Sequence, residues 1–118
     1  AVLRRSAGIT PGQVVRAGDL AVDLARRLVS RDDQQIALTR TEWQLLQHLA
    51  ANAGKVILGG ELLAKVWGPE YRDDLQYLRV WVSRLRHKIE LDPAEPTIIK
   101  TLPGIGYKFE QTEEEVPS

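Results

Sequence analysis

The run from Leu75 to Ile89, LQYLRVWVSRLRHKI, limits what this chain can fold into more than any other segment. Its apolar residues Leu75, Leu78, Val82, Leu85 and Ile89 step by three or four and so line one stripe of a helix. Gln76, Val80, Ser83, Arg84 and His87 then fall on the opposite face. The same run carries four cations, Arg79, Arg84, Arg86 and Lys88, and no acid. A helix that docks one stripe into a core and presents Arg, Gln, Ser and a small apolar group on its reverse has the chemistry that a DNA major groove reads. In that setting Arg84 suits the bidentate contact to guanine O6 and N7, and Val80 suits a thymine methyl.

Net charge argues the other way, because 16 basic residues balance 16 acidic ones. The charge is segregated, however. Residues 76–89 hold cations alone, whereas the tail from Glu110 holds Glu113, Glu114 and Glu115 without a base. Local fields act over a Debye length of roughly 8–10 Å, so a basic helix attracts phosphate even in a neutral molecule. The plainer alternative is a solvated helix face. With 118 residues, 43% of them hydrophobic, one domain with its own core is expected. Cysteine and methionine are both absent, which excludes disulfides and thiolate metal sites and suggests a fragment of a longer chain. No apolar run approaches the roughly 20 residues of a membrane span, and AVLRRSAGIT lacks a signal-peptide core. A cytoplasmic protein without a membrane partner is expected.

Along the chain, residues 1–13 read as a linker remnant. Short antiparallel strands are expected at 14–17, 20–24, 27–30 and 35–38, with turns at Gly18-Asp19 and Asp32-Asp33. A helix through 20–28 competes, since Leu20, Leu24 and Leu28 also keep helical spacing. Thr39 and Glu42 form a capping box that starts a helix at about residue 40, and Ala53-Gly54 ends it at about 52. Residues 55–58 read as an extended link and 60–66 as a brief second helix stopped by Gly68-Pro69. Residues 67–74 are a loop from which Asp73 or Asp74 can cap the long helix. Asp92-Pro93 closes that helix and Glu95-Pro96 spaces it from a final hairpin, with strands at 98–101 and 107–109 and a turn at 102–106. Such a hairpin beside a basic helix is a wing. Residues 111–118 read as a disordered acidic tail.

Catalytic chemistry finds no support. His48 and His87 lie on different helices without acidic or cysteine companions at ligand spacing, so no metal is expected. Ser83 and His87 lack a third orienting group and an oxyanion signature. No glycine-rich phosphate loop occurs. The reading is of a protein that is not an enzyme and uses no cofactor. Trp43 and Trp67 are assigned to the core or to loop anchoring, and Trp81 to packing at the edge of the stripe.

The segments LTRTEWQLLQHLAANAGKV, LLAKVWG, YLRVWVSRLRHKIE and IIKTLPGIGYKF, in this order and spacing, resemble the winged-helix effector domain of OmpR/PhoB-family response regulators over residues 14–110. WGPEY followed by YLRV is similar to the KdpE-like branch, which regulates potassium-uptake genes. The resemblance implies an α+β winged helix-turn-helix: an N-terminal four-stranded antiparallel sheet, a three-helix bundle and a C-terminal β-hairpin wing. It implies Gln76, Arg79, Val80, Ser83 and Arg84 at the major groove, and Trp81, Arg86, His87, Lys100, Thr101 and Tyr107 at the DNA backbone. Where PhoB-type members carry a wing arginine that enters the minor groove, this chain has Pro103, so the hairpin is expected on phosphates and specificity on the long helix.

Gly68, Pro69, Glu70, Tyr71, Arg72 and Asp73 match the family's RNA polymerase-contacting loop; a plain solvated connector is the other reading. The implied partners are double-stranded DNA with direct repeats, RNA polymerase, an N-terminal receiver domain phosphorylated on aspartate, and its sensor kinase. Alone the domain is expected to be a monomer, and on DNA a tandem head-to-tail dimer with half-sites about one helical turn apart. The alternative is a winged-helix protein-interaction module without DNA binding, which would lack steep salt dependence.

Overall fold

Alternation of apolar residues at the start of the chain becomes a sheet in the computed structural model, which describes residues 14–111. The linker reading at 1–13 and, Gln111 apart, the tail reading at 111–118 lie outside the described residues. Strands β1 (Val14–Ala17), β2 (Leu20–Asp23), β3 (Leu28–Arg31) and β4 (Gln34–Ile36) pair in sequence as an antiparallel meander. Val15, Ala17, Leu20, Val22 and Val29 point into the core. Asp32 and Asp33 both take positive φ, 51° and 66°, between the paired residues Arg31 and Gln34. That is the two-residue turn whose twist matches flanking strands. The competing helix through 20–28 does not form: the Asp23 carbonyl accepts from the Arg27 amide at 2.8 Å and its carboxylate from the Arg26 amide at 3.0 Å, turning the chain back.

Helix α1 (Arg40–Ala51) starts on the expected capping box. The Thr39 hydroxyl accepts from the Glu42 amide at 3.2 Å, and the Glu42 carboxylate accepts from the Thr39 amide at 2.9 Å. Helix α2 (Gly59–Val66), a single 3-10 turn (Pro69–Tyr71) and α3 (Leu75–Ile89) follow. On α3, Leu78, Val82, Leu85 and Ile89 are buried, each contributing about 1.5–3 kcal/mol by leaving water. Leu75, expected in that stripe, is instead 53% exposed. At about 100° per residue it lies about 50° off the stripe's centre, at the helix end nearest solvent. Asp74 occupies the N-cap position of α3, but neither it nor Asp73 caps by its side chain.

The segment 55–58 is more than a link. Val56–Leu58 forms β5, and with β6 (Ile99–Leu102) and β7 (Gly106–Phe109) it makes a three-stranded sheet of order β5-β7-β6. The hairpin turn has Pro103 then Gly104 at φ 76°, closed by the Ile105 amide donating to the Leu102 carbonyl at 2.9 Å. Proline at the second and glycine at the third position are what a type II turn requires. Phe109, Ile99, Leu45, Leu49 and Leu85 are fully buried in the core shared by this sheet and the helices.

Candidate nucleic-acid interface

Once the stripe of α3 is docked, helical rotation decides what the rest of the helix shows. Gln76, Val80, Ser83 and His87 form its outermost strip, and all four are exposed. Arg84 flanks that strip on the side of the loop before α3, and Arg79 on the side of the wing; both are exposed. Val80 is 45% exposed on an otherwise polar face. His87 Nδ1 lies 2.9 Å from the Ser83 carbonyl, which can only accept, so Nδ1 carries the proton and Nε2 faces outward.

Arg84 is held by an aromatic platform. Its guanidinium lies over the Trp81 ring at 5.2 Å, and Trp81 belongs to a cluster with Trp67 and Tyr77 at centroid distances of 5.9 and 6.5 Å. Tyr77 also meets Trp67 edge-on at 5.3 Å and stacks on Tyr71 at 5.8 Å. Trp67 thus anchors the loop before α3, as expected, and Trp81 packs. Tyr77 was missed by the sequence reading, although its i, i+4, i+7 relation to Trp81 and Arg84 marks a second side of the helix.

The backbone-contact group divides. Lys100 is exposed on the hairpin. Arg86 is half-buried: its Nη2 donates to the Ile99 carbonyl at 2.6 Å and to the Thr101 hydroxyl at 2.7 Å. Burial lowers its pKa, opposed by Tyr107 and Glu90. Tyr107 is 8% exposed, with the Arg86 guanidinium 5.9 Å from its ring. Arg86 and the buried Tyr107 thus turn toward the fold and, with the exposed Thr101, bridge α3 to the wing, because the edge strand needs partners for its outward groups. Lys88 likewise turns inward, its Nζ 2.8 Å from the buried Glu42 carboxylate.

In the loop before α3, Pro69, Glu70, Arg72 and Asp73 are exposed, while Gly68 and Tyr71 are half-buried. Beside the wing tip, the exposed Leu58, Leu75 and Ile105 line an apolar groove of about 540 Å³ with Arg79 and Pro103 on its wall. Among the described residues there is no cluster of His, Cys, Asp or Glu that could hold a metal, and no helix long and apolar enough to cross a membrane.

The sequence and fold are similar to those of known proteins. Residues 33–109 match the family described as "Transcriptional regulatory protein, C terminal". The transcriptional regulatory protein KdpE of Mycobacterium tuberculosis is 45% identical over 97 residues, which are 82% of this chain and 43% of that protein. The KDP operon regulator KdpE of Escherichia coli K12 is 43% identical over 109 residues, 92% of this chain and 48% of that one. The chain therefore spans about half the length of the curated relatives it matches. Among solved structures, the response regulator DrrB of Thermotoga maritima, an OmpR/PhoB homologue, superposes with a TM-score of 0.73 at 35% identity, over 82% of this chain and 44% of that one. The Klebsiella pneumoniae RstA DNA-binding domain in complex with the RstA box gives 0.73 at 31% identity, over 83% of this chain and 97% of that one. The chain belongs to the transcriptional regulatory protein C-terminal family and is a KdpE-like C-terminal domain of the OmpR/PhoB response-regulator type, not an enzyme.

Proposed function

We propose that this domain binds double-stranded DNA sequence-specifically and is the transcriptional output of a two-component response regulator. The observation that carries the reading is the outer strip of α3. Gln76, Val80, Ser83 and His87, flanked by Arg79 and Arg84, present donors, acceptors and one apolar group on a helix of about 22 Å, and no element of the described fold covers them. Such a helix fits a major groove about 12 Å wide. Lys100 on the hairpin then meets the phosphates of the adjoining minor groove. The turn offers Pro103 and Gly104 there, so the hairpin positions and α3 specifies.

The wider assembly is part of the same proposal. An N-terminal receiver domain, phosphorylated by a sensor kinase, promotes tandem binding to direct repeats, and the exposed Pro69, Glu70, Arg72 and Asp73 meet RNA polymerase in the cytoplasm. Selection of duplexes from a random pool at about 150 mM salt, followed by sequencing, tests the reading. Enrichment of a motif repeated at about 10–11 base pairs is expected. Absence of enrichment together with salt-insensitive retention would favour a protein partner on the Leu58, Leu75 and Ile105 groove instead.

A further inference from the structure

The outer edge of the wing is joined to α3 by directional bonds. Strand β6 pairs only with β7. The Ile98 carbonyl accepts from the Glu110 amide at 2.8 Å and so faces β7. By strand alternation the N–H and C=O of Ile99 face the other way, toward α3. Both find partners on α3 or just past its end. The Ile99 amide donates to the Glu90 carboxylate at 2.8 Å, and the Ile99 carbonyl accepts from Arg86 Nη2 at 2.6 Å and Nε at 3.2 Å. Glu90, 6% exposed, also accepts from the Thr97 and Ile98 amides at 2.9 and 3.0 Å. A carboxylate is costly to bury unless hydrogen-bonded, and these amides meet that demand.

We propose that Arg86 and Glu90 are positioning residues which fix the wing against the recognition helix, so that hairpin and helix reach one duplex in register. The proposal rests on the DNA reading above. Apolar packing alone tolerates sliding of a strand along a helix. Two opposite charges gripping the N–H and the C=O of a single residue do not, because both bonds depend on direction. Glu90 itself is buried and touches no surface that DNA could reach, so its effect on binding passes through the wing.

The test compares Glu90→Gln and Arg86→Lys with the unaltered chain on a duplex selected as above, with folding checked by thermal melting. Glu90→Gln preserves shape and removes a negative charge, so electrostatics alone makes binding tighter. Positioning makes it weaker: backbone protection on the hairpin side is lost, and the slope of log affinity against log salt becomes shallower by about one, the contribution of one phosphate contact. Arg86→Lys keeps the charge, cannot reproduce the planar fork, and should lose the same protection. Tighter or unchanged binding by folded Glu90→Gln, with hairpin protection intact, overturns the proposal. Amide hydrogen exchange at Ile99 needs no DNA: it should accelerate in both variants relative to the core. If the unaltered chain retains no duplex, the DNA reading fails, while unchanged exchange at Ile99 sinks the coupling by itself.

Discussion

At the scale of single residues, the proposed DNA binding divides the labour between Arg84 and Lys100. Arg84 rests on Trp81, whereas Lys100 is exposed on the hairpin opposite Lys108. Arg84→Ala is expected to cost about 1–3 kcal/mol in affinity and to relax one base position. Lys100→Ala should weaken all sequences alike and flatten the salt slope by about one. Equal losses from both with specificity unchanged, measured on single-base variants of the selected site, would contradict that division. Gly106 is constrained by space: a Cβ there would overlap the Ile57 carbonyl in the adjoining strand. Backbone cannot yield as a side-chain tip does, so Gly106→Ala should destabilise the fold by at least about 2–3 kcal/mol, read by denaturant melting.

Between elements, the joint of α1 and α3 is the buried Glu42, which closes its own capping box and receives Lys88. Burial pushes the Glu42 carboxyl up, but the bonds from Lys88 and Thr39 outweigh it and hold the group below its ordinary value of 4.5. A carboxyl with a depressed folded pKa contributes stability that is complete above its unfolded value and is lost as pH falls through the folded one. Thermal stability should therefore drop as pH is lowered below about 4.5. Lys88→Ala should shrink that drop, and an identical pH profile in the variant would show the pair to be idle.

Much at this scale was legible in the chain. The capping box, the Asp32-Asp33 turn, the Gly68-Pro69 stop and the stripe on α3 are signals contained within a few residues. What escaped depends on residues far apart. β5 looked like a link because its partner β7 lies about fifty positions on, and Arg86 looked like a free cation because Ile99 is remote from it until the hairpin folds back. The candidate site followed the same rule: the outer strip of α3 was read from periodicity, whereas Glu90 gains its meaning only from packing.

For the whole molecule, neutral net charge and segregated local charge together predict how it associates. Outside the groove at the wing tip, exposed apolar side chains of the described surface such as Val14, Leu28, Val80 and Leu91 sit on separate elements. Sedimentation should show a monomer in solution and two copies per duplex bearing direct repeats; a stable dimer without DNA would overturn the tandem reading. The sheet order β5-β7-β6 carries a further consequence. Its middle strand, Gly106–Phe109, is made after both outer strands and after α3. A growing or prematurely stopped chain that ends before Gly106 possesses all of α3, but its two outer strands have nothing between them. The three-stranded sheet, and with it the seat of the wing against α3, can therefore close only once Gly106–Phe109 has been made.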